Sequence, residues 1–248
     1  MTIAMIFLLF TSGFLSGAVN AIAGGGTFLT FGALTLAGLP PISANATSSV
    51  TQFPGYITST LAYRNELKEM KRSAIVLGII SAVGAVGGSL FLISLSNPAF
   101  RSMVPWLLLG ATAIFAAGPK LRPKTKAESH PASPLGLALQ AITSFYGGFF
   151  GAGMGIMMLA SLGLASGGDY HRLNALKNFL SIVIAAVAIV IFASAGAISW
   201  LHAAIMIPAV AAGGYAGVAM AKKVPQSVLR WMVVAAGLGL AAYYFFTG

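Results

Sequence analysis

The sequence has 248 residues, of which 58% are hydrophobic and only 7% are charged, and its mean hydropathy is +0.90. Because so few charges cannot cover the surface of a soluble domain of this size, the composition excludes that class and predicts a polytopic membrane protein. The net charge of +10 comes mainly from basic residues in short connections, which is typical of cytoplasmic loops beside anionic lipid headgroups. We therefore expect contact with membrane lipids and no binding of nucleic acid.

The first apolar segment, residues 2–22, begins without the basic residues of a signal peptide. We expect a retained membrane helix, with a signal peptide cleaved near residue 21 or 23 as the alternative. Nine more apolar segments follow, and several are long enough to cross a hydrocarbon core of about 30 Å. They are predicted at residues 27–38, 42–63, 73–95, 99–118, 134–150, 154–166, 171–194, 199–221 and 226–246.

A charged, proline-rich stretch separates the fifth segment from the sixth and divides the chain almost in half. The predicted parts are a first membrane repeat (1–118), a basic linker (119–133) and a second membrane repeat (134–248). A shift of 129 residues places Gly26 on Gly155 and Asn45 on Asn174, among other matches in the same order. The ordered matches favour a duplication.

The charge pattern of the connections is reversed between the two halves. The connection after the third segment, RNELKEMKR, is strongly basic, whereas its counterpart in the second half, SAGAIS, is uncharged. Because basic loops stay in the cytoplasm, the two halves should have opposite orientations. The predicted fold class is therefore all-α: two inverted-topology repeats of about five membrane segments each, as in many secondary transporters. Both termini then lie outside and the linker 119–133 is cytoplasmic.

The second segment of each half is too short for an ordinary span. TFLTFGALTLAG has about 12 residues and would form a helix about 18 Å long. A glycine-rich tip precedes this segment in each half, AGGG in the first and GAGMG in the second. We predict two re-entrant hairpins, residues 2–38 and 134–167, whose tips meet near the middle of the membrane. Two short spanning helices joined at the surface are the alternative.

The predicted tips have the properties of an anion site. A helix start carries free N–H groups and a partial positive charge, and glycine allows a ligand to approach the backbone closely. Thr27, the first residue of its segment, adds a hydroxyl donor. Close helix packing is the alternative use of glycines in membrane helices.

The third segment of each half carries a polar stripe. In the first half, Asn45, Ser49 and Gln52 recur at helical spacing, with Ser48 beside them. In the second half, the stripe consists of Asn174, Lys177, Asn178 and Ser181. Hydrogen bonds between helices are one use of such stripes. An ammonium group inside an apolar helix indicates an anionic ligand, unless the side chain extends to the cytoplasmic surface.

The acidic residues argue against several other functions. All four are predicted in connections, so the sequence favours neither a cation site nor a proton relay. His202 is the one weak candidate for a relay, and an interfacial histidine is the simpler interpretation. Since no cysteine, no histidine cluster and no paired nucleophile and base are evident, we expect no metal, no other cofactor and no catalysis.

Two stretches carry a resemblance to a known family: GFLSGAVNAIAGGGTFLTFGALTLAGLPPISANATSS and, after the linker, GGFFGAGMGIMMLASLGL. Together they resemble the sulfite exporter TauE/SafE family, also called toluenesulfonate uptake permeases, over essentially the whole chain. The resemblance implies a bacterial inner-membrane carrier of small sulfur-containing anions such as sulfite or organosulfonates. Many members carry an Asn-Lys pair where this chain has Ser48 and Ser49, so its first half lacks that cation.

The motifs and the resemblance together predict a small anionic substrate bound near the midplane, with alternating access and export as the direction. An anion channel and a non-transporting scaffold or assembly subunit are the alternatives, and the sequence gives no prediction of the oligomeric state. The predicted substrate-binding residues are Asn20, Gly24, Gly25, Gly26, Thr27, Asn45, Thr47, Ser48, Ser49, Gln52, Gly153, Gly155, Asn174, Lys177 and Asn178.

Overall fold

The computed structural model describes residues 1–22, 25–121, 134–166, 170–220 and 226–247, which form helices and short connections without a strand. The helices are α1 (Ile3–Ile22), α2 (Thr27–Leu36), α3 (Pro41–Ala62), α4 (Arg64–Glu69), α5 (Lys71–Ser94), α6 (Asn97–Leu121), α7 (Pro134–Phe149), α8 (Met154–Ser166), α9 (Tyr170–Ser194), α10 (Trp200–Met220) and α11 (Gln226–Thr247). All the predicted segments match helices, with ends that differ by at most three residues. The predicted all-helical fold is confirmed.

Two boundaries differ from the prediction. The basic connection RNELKEMKR contains the helix α4, which the hydrophobic pattern does not reveal because none of its residues is buried. Its arginine, lysine, leucine and glutamate residues are good helix formers. α6 continues to Leu121, three residues past the predicted end of the first repeat at 118, and residues 122–133 of the linker lie outside the described ranges.

The lengths and surfaces of the helices fit a membrane. Among the described residues, four helices are long and apolar enough to cross it by length and composition, namely those that contain Ile3–Asn20, Lys71–Ser94, Asn97–Ala117 and Arg172–Ser194. Large apolar side chains face outward, and Ile3, Val83 and Val190 are 88%, 69% and 69% exposed. An apolar exterior of this kind is stable against lipid and not against water. The chain is therefore a multi-pass membrane protein.

Glycines bring helices of the two halves into close contact. A Cβ on Gly13 of α1 would meet Met206 and Ala209 of α10, and one on Gly17 would meet Val210, four residues further along both helices. α1 and α10 therefore run parallel.

α5 and α7 make a matching pair. A Cβ on Gly84 of α5 would meet Ala141 and Ser144 of α7, and one on Gly88 would meet Phe145 and Phe149. These contacts also advance along both helices in the same direction, so α5 and α7 run parallel. Small residues allow such close approach between membrane helices.

The short helices α2 and α8 are defined by glycines at their ends. With 10 and 13 residues, they are about 15 and 20 Å long, less than a hydrocarbon core of about 30 Å. α2 ends at Leu36, and the turn that follows contains Gly38, whose φ of +87° lies in the left-handed region; the N–H of Leu39 donates to the carbonyl of Leu34. This is a common helix stop, and the two prolines that follow begin α3.

Candidate functional site

A small cavity lies where the start of α2, the middle of α3, the connection between α7 and α8, and the middle of α9 meet. Its volume is about 20 Å³, which is room for about one water molecule. We call it the central cavity. It is lined by Thr27, Ser49, Gln52, Tyr56, Gly147, Gly151, Met154, Ile184, Ala185 and Ala188. A ligand larger than water requires these side chains to move apart.

The first tip is held tightly against α1. Gly26 immediately precedes α2, and its carbonyl accepts a hydrogen bond from the hydroxyl of Ser16 at 2.7 Å. A Cβ on Gly26 would overlap the backbone carbonyl of Ser16, and one on Gly25 would overlap the ring of Phe115. In this conformation both glycines are buried and are required by close packing. Gly24 lies outside the described residues.

The second tip turns on two glycines in the left-handed region. Gly151 and Gly153 have φ values of +74° and +77°, which a side chain would strain. The hydroxyl of Tyr146 donates to the carbonyl of Ala152 at 2.7 Å and so fixes the turn. Gly155 is half-buried in the first turn of α8. Of these residues Gly151 lines the central cavity. It belongs to the predicted tip GAGMG but is not among the predicted substrate-binding residues, and Tyr146 is not predicted at all.

The amide of Gln52 joins three helices. Its nitrogen donates to the hydroxyls of Ser16 in α1 and Thr30 in α2, the latter at 3.2 Å. Its oxygen accepts a hydrogen bond from the side-chain amide of Asn20 at 3.3 Å. Thr30 in turn is hydrogen-bonded to the hydroxyl of Ser48 at 2.6 Å. Because Gln52 is only 1% exposed and also lines the central cavity, it couples the position of the first tip to the site.

Further hydroxyl groups complete the polar wall of the central cavity. Tyr56 lies one turn after Gln52, and its hydroxyl lies beside the side chains of Thr27 and Asn20. Ser49 lines the cavity and donates to a backbone carbonyl of its own helix at 3.1 Å. The polar groups contributed by α2 and α3 are thus neutral hydrogen-bonding groups.

Two of the predicted residues point elsewhere. Asn45 donates from its side-chain amide to the carbonyl of Phe149 at 3.0 Å and so holds the end of α7, next to the second tip. The hydroxyl of Thr47 accepts a hydrogen bond from the N–H of Ser199 at 2.9 Å, in the approach to α10. Neither side chain lines the central cavity.

The polar stripe of α9 is buried inside the protein. Asn174, Lys177 and Asn178 are 2%, 4% and 4% exposed, and Lys177 interacts with other parts of the protein. Its side chain therefore does not extend to solvent in this conformation. The side-chain oxygens of Asn174 and Ser181 are buried without a hydrogen-bond partner in the described ranges, so a water or a ligand group is needed to satisfy them.

The stripe leads toward the central cavity. Lys177 and Ser181 lie at helical spacing with Ile184 and Ala188, which line the cavity, so these four residues share one face of α9. Lys177 is about 10 Å from Ile184 along the helix, nearer its start. Lys177 therefore lies on the face of α9 that leads to the central cavity, but it is not one of the residues that line the cavity.

A second buried glutamine, Gln140, is not singled out from the sequence. The amide nitrogen of Gln140 in α7 donates to the hydroxyls of Ser81 and Ser144 at 3.0 and 3.1 Å, and its oxygen accepts from Ser161 at 3.3 Å. This cluster joins α5, α7 and α8 and does not line the central cavity. The signal for it was an amide in an apolar segment, the same signal that marks Gln52.

An apolar exterior that surrounds a bundle of helices defines a multi-pass membrane protein. The sequence model of the sulfite exporter TauE/SafE family matches residues 9–244, and the chain belongs to this family of membrane transporters. The resemblance drawn from the motifs is thereby confirmed.

Relatives with similar sequences carry transporter names. A probable membrane transporter protein of Haemophilus influenzae is 26% identical over 94% of this chain and 91% of its own length. The probable membrane transporter protein ORF9 of a Sinorhizobium species is 24% identical over 96% and 91%. The probable membrane transporter protein YfcA of Escherichia coli K12 is 24% identical over 93% and 86%. These names indicate a transporter and not an enzyme.

The two glutamine clusters generate a matched prediction on stability. We expect Gln52→Leu and Gln140→Leu each to lower the free energy of unfolding by about 1–2 kcal/mol, because each leaves buried hydroxyls without their amide partner. The measurement is denaturation in mixed detergent micelles, with Ser94→Ala at an exposed hydroxyl as the control. If Gln52→Leu is as stable as the control, the network does not hold the first tip.

Proposed function

We propose that this protein exports small sulfur-containing anions, such as sulfite or organosulfonates, across the bacterial inner membrane by alternating access. The observation that carries the proposal is the central cavity, which lies halfway along α3 and is lined by Thr27, next to the first tip, and by Gly151 and Met154 of the second tip. A substrate site at mid-depth, between two tips from opposite halves, can open to either side when the halves move against each other. A cavity of about 20 Å³ fits an intermediate of the transport cycle, between the state open to one side of the membrane and the state open to the other.

Helix directions support the inverted repeats on which this mechanism depends. α1 and α10 are parallel, and so are α5 and α7, and each pair joins the first membrane segment of one half to the fourth of the other. In two repeats of the same orientation these pairs would be antiparallel. The ion pair of 2.6 Å between Arg172 and Glu69 also brings the start of α9 to the side of the bundle where α3 ends. The equivalent helices α3 and α9 therefore run in opposite directions.

The chemistry of the cavity favours an anion. Its described lining residues include no acidic side chain, and they present the hydroxyls of Thr27, Ser49 and Tyr56, whereas the amide nitrogen of Gln52 is used by Ser16 and Thr30. Thr27 stands at the start of α2, where the helix dipole is positive. Lys177 adds a positive charge on the face of α9 that leads to the cavity, and a buried cation in a membrane helix marks an anion path.

The membrane potential favours export. Each negative charge that leaves an inside-negative cell gains about 2.3 kcal/mol per 100 mV, so outward movement of an anion needs no coupling ion. Uptake would require coupling to a second ion, for which the described cavity has no carboxylate or histidine. Export is therefore the direction of transport that needs no coupling group in the described cavity wall.

An aromatic barrier closes the cavity toward the far end of α2. Phe31, one turn after Thr27, is 1% exposed. Its ring packs edge-on against Phe150 at a centroid distance of 5.4 Å and stacks on Tyr244 at 6.0 Å. A carrier that works by alternating access requires such a barrier on one side of its site.

Flux through proteoliposomes tests the proposed function. We expect Gln52→Leu to lower the efflux of sulfite at least about tenfold, because it releases the first tip from Ser16 and Thr30 and so changes the cavity wall. Gln140→Leu has a similar cost in stability but lies away from the cavity, and should retain the flux. We expect Lys177→Gln to raise the half-saturating sulfite concentration about tenfold. Equal flux in the two leucine variants, or no sulfite flux in the unmodified protein, would contradict the proposal.

The aromatic barrier gives a second test. We expect Phe31→Ala to produce an anion leak that rises linearly with concentration, because the ring is the plug between the cavity and the end of α2. Phe28→Ala is the matched control, since Phe28 is equally buried in the same helix but packs against Phe115. The measurement is efflux against anion concentration in proteoliposomes. Saturable flux without a leak in Phe31→Ala would show that the barrier lies elsewhere.

A further inference from the structure

A second pocket lies at the other end of α2, where α2 turns into α3 and where α6 begins and α11 ends. Its volume is about 230 Å³, so it is much larger than the central cavity. We call it the outer pocket, because this end of the bundle is predicted to face outside. It is lined by Thr35, Gly38, Leu39, Pro40, Pro41, Arg101, Tyr243 and Tyr244.

Arg101 supplies the positive charge of the outer pocket. Its Nη2 donates to the backbone carbonyl of Thr247 at 2.6 Å and to the hydroxyl of Thr247 at 3.2 Å. Its guanidinium carbon lies 5.8 Å from the centre of the Tyr244 ring. These contacts hold the guanidinium in place. In its hydrogen bonds to described residues, Nη2 is the nitrogen that donates. Nε and Nη1 carry N–H donors that these bonds do not use, and a charge-assisted N–H donor suits an oxyanion.

Two hydroxyl groups add a neutral donor. The hydroxyls of Thr35 and Tyr244 are 3.0 Å apart, and either can donate to the other. Whichever of the two accepts this bond still carries its own hydrogen, which is available to a ligand in the pocket. The pocket therefore presents charged and neutral donors on adjacent walls.

The position of Arg101 is unusual for a membrane protein. The sequence has 14 lysine and arginine residues, and Arg101 is the only one of them predicted at the outer end. Basic residues are normally kept on the cytoplasmic side, so an arginine outside needs a specific reason. The described pocket wall contains no acidic side chain, and all four acidic residues of the sequence are predicted in cytoplasmic connections. The positive charge of Arg101 is thus not balanced by a carboxylate side chain of this wall.

We infer that the outer pocket binds an oxyanion on Arg101 and on the paired hydroxyls of Thr35 and Tyr244. The oxyanion is either a free sulfur-containing anion or the phosphate of a lipid headgroup, since the same donors suit both. The site does not depend on the direction of transport. Its role as an exit site for the exported anion rests on the proposed function.

α2 connects the outer pocket to the central cavity. Thr27, Phe31 and Thr35 lie four residues apart on one face of α2, so the two sites are about 12 Å apart along the helix. Phe31, between them, stacks on the ring of Tyr244, whose hydroxyl is in the outer pocket. An anion that draws the Tyr244 hydroxyl away from Thr35 would therefore shift the ring that supports the aromatic barrier.

Equilibrium binding of radiolabelled sulfite tests the outer pocket. The full chain is held in dodecyl maltoside micelles, which carry neither charge nor phosphate, and each variant also contains Gln52→Leu so that the central cavity does not contribute. We expect one bound sulfite per chain, weakened at least about tenfold by Arg101→Gln because the charged donors are lost. Tyr244→Phe, which removes one hydroxyl, should weaken binding less. Arg72→Gln, at an exposed arginine of α5, is the matched control and should leave binding unchanged.

Phosphatidylglycerol added to the micelles distinguishes the two sources of the oxyanion. If the lipid binds in an Arg101-dependent manner and sulfite does not bind, the site holds a headgroup. If Arg101→Gln does not fold, Arg101→Lys keeps the charge but loses the fixed planar arrangement of the guanidinium donors, and should weaken binding severalfold. Binding in Arg101→Gln equal to that in Arg72→Gln, for both ligands, overturns the inference. If Gln52→Leu retains full flux while Arg101→Gln loses binding, the proposed function fails and the outer site stands.

Discussion

The buried amide of Gln52 is the interaction on which the arrangement of the site depends. Backbone that leaves a helix inside a membrane protein must be held by internal hydrogen bonds, because lipid offers none. Gln52 and Ser16 together provide this support for the first tip: Ser16 binds the carbonyl of Gly26, and Gln52 binds Ser16 and Thr30. Since Gln52 also lines the central cavity, the group that holds the tip also meets the ligand in the proposed function. A buried network shared in this way makes the shape of the site sensitive to a single side chain.

Most of the fold could be predicted from the sequence, because the positions of the helices are determined by the lengths of the apolar segments and by the charged, glycine and proline residues that separate them. Apolar segments that end at charged stretches or at glycine and proline predict the helices, including the short α2, which is followed by the turn at Gly38. The helix α4 could not be predicted in this way, because a helix without a buried face has no hydrophobic period. The directions of packed helices support the inverted repeats inferred from the charges of the loops.

The site was predictable only in part, because helical spacing tells which residues share a face but not what that face meets. Gln52 and Ser49 line the central cavity, whereas Thr47, in the same helix, binds the backbone before α10. A glycine beside a ligand and a glycine beside a phenylalanine ring look the same in a sequence, and Gly25 meets the ring of Phe115. The Gln140 cluster carries the same signal as Gln52 and lies away from the cavity, so burial of an amide does not by itself mark a site.

Occupation of the central cavity by an anion is tested most directly by chemical protection of one residue. The chain contains no cysteine, so Ser49→Cys places a single thiol on the cavity wall, and Ser94→Cys places one at an exposed control position. The measurement is the rate of reaction with N-ethylmaleimide in proteoliposomes at increasing methanesulfonate concentration. Binding in the cavity predicts that the rate at position 49 falls saturably while the rate at position 94 stays constant. A rate at position 49 that does not respond to methanesulfonate or to other small sulfonates would contradict it.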